Sequence, residues 1–118
     1  MARILIVDDD KAVCLAMRVV LEQEGFEVAE AHNGDQAVER IHEQPPNLIL
    51  CDIFMPKKDG FDTIRELRRT VPKIPIIAVS GSGDVLQLAR KLGAVEVLYK
   101  PMSHAVLMGA VRRSIKAT

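Results

Sequence analysis

Short apolar runs recur along the chain, separated by longer segments of mixed polarity. Four runs are almost continuously apolar: Ile4 to Val7, Leu48 to Cys51, Ile74 to Val79 and Val95 to Tyr99. A weaker run from Phe26 to Ala31 is interrupted by acidic residues, which favours a position near the edge of a sheet. Continuous apolar runs of this length are typical of parallel strands that are covered on both faces. The pattern predicts five strands.

The segments between the apolar runs carry the signals that start and stop helices. Asp10 is the predicted N-cap of a first helix that reaches Glu24 and stops at Gly25. The predicted later helices run from Asn33 or Gly34 to just before Pro45-Pro46, from about Phe61 to Thr70, from about Asp84 to Leu92, and from a Ser103 cap into the C-terminus. Strands that alternate with helices predict a doubly wound α/β sheet with right-handed crossovers. With no linker or repeat, we expect one domain over residues 1–118 and no output domain.

Composition narrows the functional classes. Sixteen basic and sixteen acidic residues cancel, so no net field favours nucleic acid or an anionic membrane. No apolar run approaches the roughly 20 residues of a membrane span, and no signal-peptide core is present, so we expect a cytoplasmic protein. Cys14 and Cys51 form no Cys-x-x-Cys motif or Cys/His cluster, and His32, His42 and His104 are scattered. The sequence therefore predicts no metal–thiolate site.

Polar residues follow directly after four of the predicted strands: Asp8 and Asp9, Asp52, Ser80, and Lys100. Ligands of doubly wound sheets bind outside the carboxyl ends of the strands, so these side chains are candidates for one site. Two carboxylates about 4 Å apart repel by roughly 4 kcal/mol at an effective dielectric constant of 20. A lysine and a hard cation such as Mg²⁺ could offset that repulsion. Such a set of groups suits phosphoryl transfer, with Asp52 as the nucleophile that becomes an aspartyl phosphate.

Four motifs, taken in order and at their spacing, resemble the receiver domain of response regulators: ILIVDDD, LILCDIFMPKKDG, IIAVSGSGD and LYKP. The resemblance covers the whole chain and implies a flavodoxin-like sheet with strand order 2-1-3-4-5. It also implies a cis peptide bond at Lys100-Pro101. The implied function is that of a phosphoacceptor in a two-component phosphorelay, not an enzyme acting on other substrates. A sensor histidine kinase or a histidine phosphotransfer protein would supply the phosphoryl group, and an unknown protein target would read it. Whether the chain forms a homodimer is left open by the resemblance.

The resemblance also implies roles for individual positions. Asp52 resembles the phosphoacceptor, while Ser80 and Lys100 resemble the hydroxyl and the lysine that contact the phosphoryl group. Four positions resemble the Mg²⁺ ligands: Asp8 (through water), Asp9, Asp52 and the backbone carbonyl of Phe54.

One position departs from the pattern of the family. Val97 stands where an aromatic residue of the switch is usual, and the only tyrosine, Tyr99, directly precedes the lysine. A phosphorylation-independent adaptor or dimerisation module is therefore an alternative function. A phosphatase with an Asp-x-Asp motif is disfavoured, because Asp8 and Asp10 have the spacing but Ala12 offers no hydroxyl.

The first helix carries an apolar strip whose role the sequence leaves open. A helical wheel predicts an inward stripe of Val13, Ala16, Met17, Val20 and Leu21. It leaves Cys14, Leu15 and part of Val19 facing outward. Both a docking surface for a partner helix and scattered surface apolar residues fit this pattern.

Overall fold

The computed structural model describes residues 2–53, 60–81 and 83–116. The strands are β1 (Arg3–Val7), β2 (Glu27–Ala31), β3 (Leu48–Asp52), β4 (Ile76–Ser80) and β5 (Glu96–Tyr99). The helices are α1 (Lys11–Gln23), α2 (Gly34–Glu43), α3 (Gly60–Thr70), α4 (Gly83–Lys91) and α5 (His104–Lys116). All the strand pairs are parallel, and the sheet order is β2-β1-β3-β4-β5. The predicted fold class and strand order are confirmed.

Two apolar clusters lie on opposite faces of the sheet. Leu5 of β1 and Ile49 of β3 belong to the cluster covered by α2, α3 and α4. Their neighbours Ile6 and Leu50 belong to the other cluster, which α1 and α5 cover. Successive side chains of a strand point to opposite faces, so strands buried on both sides need the continuous apolar runs seen in the sequence.

The strand order decides which strand ends meet. β3 lies at the centre of the sheet between β1 and β4, whereas β2 forms one edge, as its weaker apolar run predicts. The chain leaves β1 for β2 on one side and returns to β3 on the other. The carboxyl ends of β1 and β3 therefore flank the point where the strand order reverses, which is where ligands bind in such sheets.

The helix termini follow the predicted local signals. Asp10 caps α1, and its Oδ1 accepts hydrogen bonds from the amides of Ala12 at 2.9 Å and Val13 at 3.3 Å. Gly25, which follows α1, has a φ of 91°, a left-handed conformation that glycine adopts without steric cost. No helix in the described part of the chain is long and apolar enough to cross a membrane.

The prediction for α1 was wrong at two positions. Cys14, predicted to face outward, is completely buried, whereas Ala16, predicted to face inward, is exposed. The inward stripe is centred on Cys14, Met17 and Leu21, a spacing of three and four residues that follows one helix face. Leu15 is exposed as predicted. The helix is therefore rotated about its own axis relative to the predicted wheel.

Candidate functional site

The end of β1 contributes two adjacent aspartates in different environments. Asp8 is completely buried, while Asp9 is exposed. The Asp8 amide donates a hydrogen bond to the Ala31 carbonyl at 3.0 Å, which fixes the backbone at the end of β1 against β2. Asp8 Oδ1 accepts a hydrogen bond from the Asp10 amide at 2.9 Å. The first turn of the loop into α1 therefore orients the Asp8 carboxylate.

Asp52 is the last residue of β3 and is 5% exposed. The next residue, Ile53, donates its amide to the Val79 carbonyl at 3.1 Å, so the end of β3 stays paired with β4. One carboxylate oxygen from each of Asp8, Asp9 and Asp52 lies within 4.8 Å of the others. The structure thus brings together the three carboxylates that the sequence analysis placed at strand ends.

Lys100 lies between two of these carboxylates. Its Nζ is 3.3 Å from Asp8 Oδ2 and 3.4 Å from Asp52 Oδ2. The Lys100 amide donates a hydrogen bond to the Ser80 carbonyl at 2.9 Å, which joins the ends of β4 and β5. Ser80 itself is buried. The peptide bond from Lys100 to Pro101 is cis, as predicted.

Burial and neighbouring charges shift the pKa values of Asp8 and Lys100. Burial raises the pKa of Asp8, and the charge of Asp52 raises it further, although the Asp10 amide and Lys100 act in the opposite direction. Burial also disfavours the charged form of Lys100, but Asp52 and Asp8 together outweigh burial and hold the Lys100 pKa above its ordinary value. The lysine is therefore a permanent cation at neutral pH, and it compensates only part of the negative charge.

The donor set fits a hard divalent cation. Three carboxylates converge on a volume that holds one ammonium group, so positive charge is still needed to balance the cluster. Carboxylate oxygens together with water are the ligands that Mg²⁺ prefers. The backbone carbonyl of Phe54, the remaining predicted ligand, lies outside the described residues.

The described residues around the expected switch place no aromatic side chain at the position of Val97. Val97 is half-buried and packs against the core on the side of α2, α3 and α4. Tyr99 is exposed.

Cys14 is a further neighbour of the site, since its Sγ donates a hydrogen bond to the Asp8 carbonyl at 3.4 Å. The sequence had not predicted this contact. The spacing of Cys14 from Met17 and Leu21 was the available signal.

A doubly wound parallel sheet with an acidic cluster and a lysine at its carboxyl edge defines a class of α/β proteins with a cation-compatible site. Within that class, the family model of the response regulator receiver domain matches residues 4–112. The chain belongs to the response regulator receiver domains of two-component systems.

Curated relatives and solved structures agree with this assignment. Transcriptional regulatory protein CpxR from Escherichia coli is 37% identical over 118 aligned residues, which cover 98% of this chain and 50% of that protein. Transcriptional regulatory protein ZraR from the same organism is 34% identical over 98% of this chain and 26% of its own length. The chain thus spans about half, or less, of these relatives.

Among solved structures, the receiver domain of NtrX from Brucella abortus superimposes with a TM-score of 0.92 at 27% identity. That match covers 98% of this chain and 99% of the NtrX chain. Chemotaxis protein CheY4 from Vibrio cholerae gives a TM-score of 0.89 at 26% identity, covering 97% of this chain and 98% of CheY4.

Proposed function

We propose that the domain accepts a phosphoryl group on Asp52 from a phosphohistidine and changes its binding to a partner protein in response. The observation that carries the proposal is the position of Lys100, whose ammonium group lies 3.3 Å from Asp8 and 3.4 Å from Asp52. A lysine that contacts two carboxylates can move its ammonium group to the phosphoryl oxygens when one carboxylate becomes an acyl phosphate. The donor would be a sensor histidine kinase or a histidine phosphotransfer protein.

The proposed transfer needs little covalent chemistry from the protein. A carboxylate oxygen of Asp52 attacks phosphorus, a new P–O bond forms, and the electron pair of the breaking P–N bond leaves with the imidazole. Lys100 binds a phosphoryl oxygen, and the Ser80 hydroxyl donates a hydrogen bond to another. Asp8, Asp9, Asp52 and the Phe54 carbonyl are the proposed Mg²⁺ ligands, and the ion would supply positive charge for the phosphoryl oxygens.

The proposed output surface is formed by α4, β5 and α5. Each of these elements exposes a large apolar side chain: Leu88 is 46% exposed, Tyr99 52% and Val106 51%. The hydrogen bond from the Lys100 amide to the Ser80 carbonyl connects the site with β5. A shift in population from 1:99 to 99:1 needs about 5.5 kcal/mol of preference for one state. Capture of a doubly charged group by Lys100 and Ser80 would contribute to that preference.

The proposed partner of this surface is a downstream protein or a second copy of the chain. The relatives are transcriptional regulators in which the matched region is half of the protein or less. We therefore propose that any DNA binding in a longer protein belongs to a different region. The balanced charge of this chain offers no electrostatic attraction to a nucleic acid.

Intact-mass measurement tests the phosphoacceptor. With Mg²⁺ and acetyl phosphate, the wild-type chain should gain the mass of one phosphoryl group, and removal of the metal with EDTA should prevent the gain. Asp52→Asn should show no gain, because the nucleophilic oxygen is lost. Asp62→Asn, which changes an exposed aspartate of α3, should behave like the wild type.

Two outcomes would overturn the proposal. A folded wild-type chain that gains no mass would favour the adaptor or dimerisation module, for which the departure at Val97 is the sequence argument. A gain that persists in Asp52→Asn would move the acceptor to another residue.

A further inference from the structure

A second group of candidate metal ligands lies behind the acidic cluster, between α1 and β2. Cys14 of α1, Glu30 of β2 and His32, which follows β2, each place one ligand atom within 4.8 Å of the other two. None of the three belongs to the Asp8, Asp9 and Asp52 cluster. The sequence predicted no such group, because the thiol and the imidazole come from different elements.

His32 has an unused nitrogen in this group. Its Nε2 is buried and makes no hydrogen bond to any described residue, and it lies 3.4 Å from Glu30 Oε1, with which it forms an ion pair only when the imidazole is protonated. The backbone of His32 is held in place, because its amide donates a hydrogen bond to Gln36 Oε1 at 2.8 Å. A buried nitrogen without a partner is costly, and a cation that accepts its lone pair removes that cost.

Neighbouring charges orient Glu30 toward the histidine. Arg18 forms an ion pair with Glu30 Oε2 and donates a second hydrogen bond to the Val28 carbonyl at 2.8 Å. This pairing leaves Oε1 on the side of His32.

We propose that Cys14, Glu30 and His32 form a binding site for Zn²⁺ or a similar borderline-soft cation. Three protein ligands with water in the fourth position form a tetrahedral zinc site whose ligand atoms are about 3.3–3.7 Å apart. The 3.4 Å between His32 Nε2 and Glu30 Oε1 already matches one edge of that tetrahedron. Cys14 Sγ lies within 4.8 Å of both atoms, which leaves the other two edges about 1 Å longer than those of a tetrahedral zinc site at most.

Binding exchanges a proton for the metal. The free Cys14 thiol is protonated, because burial raises its pKa to about 12. On binding, the S–H proton goes to water, a sulfur–metal bond forms, and the hydrogen bond from Sγ to the Asp8 carbonyl is lost. Mg²⁺ prefers oxygen ligands and has little affinity for a thiolate, so the two sites would select different cations.

Cobalt titration tests the site on the full chain. With excess Mg²⁺ present to occupy the acidic cluster, Co²⁺ should produce a thiolate-to-cobalt charge-transfer band in the near ultraviolet at one equivalent, and Zn²⁺ should abolish the band. Cys14→Ser should lose the band. Cys51→Ser is the matched control, because Cys51 is also buried but packs on the opposite face of the sheet, and it should retain the band.

Two histidine variants test the site without altering the buried thiol. His32→Gln should weaken Co²⁺ binding about tenfold or more, because loss of a ligand should cost at least as much as loss of a group that only orients a ligand. His42→Gln, at an exposed position of α2, should leave the affinity unchanged. The site is overturned if the wild type shows no band, if Cys14→Ser keeps the band, or if His32→Gln binds Co²⁺ as tightly as the wild type. Circular dichroism verifies that each variant is folded.

Discussion

Asp8 lies in an environment that disfavours its charge. It is completely buried and shares a small volume with Asp52, and Lys100 contacts both carboxylates. Two charges within 4.8 Å of each other repel by roughly 3 kcal/mol or more at an effective dielectric constant of about 20. Without a metal, burial and the charge of Asp52 outweigh the attraction to Lys100, since the pKa of Asp8 is raised, so the metal-free domain gives up stability to keep Asp8 charged.

The first residue-scale prediction is that Asp8→Asn stabilises the metal-free domain at neutral pH by about 1 kcal/mol or more. The asparagine oxygen can still accept the Asp10 amide, and the burial cost of the charge and its repulsion from Asp52, which together outweigh the attraction to Lys100, disappear. Because burial raises the pKa of Asp8 above 3.8, the folded wild type binds more protons than the unfolded chain as pH rises through this range. The wild type therefore loses stability as pH rises, and the difference in unfolding free energy between Asp8→Asn and the wild type should grow.

Urea unfolding in EDTA from about pH 3.5 to pH 7 measures this difference. At the acid end the two proteins should approach each other in stability, because Asp8 is protonated in the folded state and largely protonated in the unfolded state. Asp9→Asn is the control, since Asp9 is exposed and its charge costs less. A variant that is less stable than the wild type at pH 7 would show that the hydrogen bonds of Asp8 outweigh the repulsion.

At the scale of elements, Arg68 of α3 forms hydrogen bonds with two loops that are far apart in the sequence. Its guanidinium donates hydrogen bonds to the carbonyls of Pro72 at 2.8 Å, Ile74 at 3.0 Å and Gly93 at 3.1 Å. These carbonyls belong to the connection into β4 and to the turn after α4. One side chain therefore holds both loops at the amino end of the sheet, opposite the acidic cluster.

The element-scale prediction is that Arg68→Ala lowers the free energy of unfolding by about 2 kcal/mol. Hydrogen bonds from a charged donor are stronger than average. The substitution would also leave carbonyl oxygens that are partly screened from water without their donor. Urea unfolding again measures the change, with phosphorylation of Asp52 expected to persist because the site is at the other end of the sheet. Arg69→Ala, at an exposed position, should change stability by less than about 0.5 kcal/mol. Equal effects of the two variants would contradict the role of Arg68.

At the scale of the whole molecule, the acidic cluster connects the ends of separate strands. Asp8 and Asp9 follow β1, Asp52 ends β3, and Lys100 follows β5. These positions converge only when the sheet is formed. A metal ion that binds the folded domain but not the unfolded chain must therefore stabilise the entire fold by mass action.

The whole-molecule prediction is that Mg²⁺ raises the melting temperature by several degrees. A ligand at 100 times its dissociation constant adds about 2.7 kcal/mol of stability. Asp9→Asn should abolish most of the increase, because Asp9 is an exposed member of the cluster and its loss removes a ligand without disturbing the core. Asp62→Asn should retain the increase. Differential scanning fluorimetry with Mg²⁺ and with EDTA measures both, and an unchanged response in Asp9→Asn would exclude that residue as a ligand.

Local patterning was sufficient to predict most of the fold. Every described strand and helix was anticipated, with boundaries within two residues, because apolar periodicity and capping groups such as Asp10 act over a few positions. The polar residues at the strand ends were identified for the same reason. Parallel strands place their carboxyl ends on one edge, so Asp8, Asp52 and Lys100 could be assigned to one site before any distance was known.

Tertiary packing alone decided the rotation of α1 and the contacts that depend on it. The wheel of α1 is apolar over a wide arc, so the face that turns inward is selected by the fit against β1 and β2, and this fit buries Cys14. The same packing places the Cys14 thiol beside Glu30 and His32 and against the Asp8 carbonyl. Sequence by itself determined which elements form and which charges lie at their ends, because those depend on neighbouring residues. Which side chains meet across elements is determined by packing distances of a few ångströms, which no local pattern encodes.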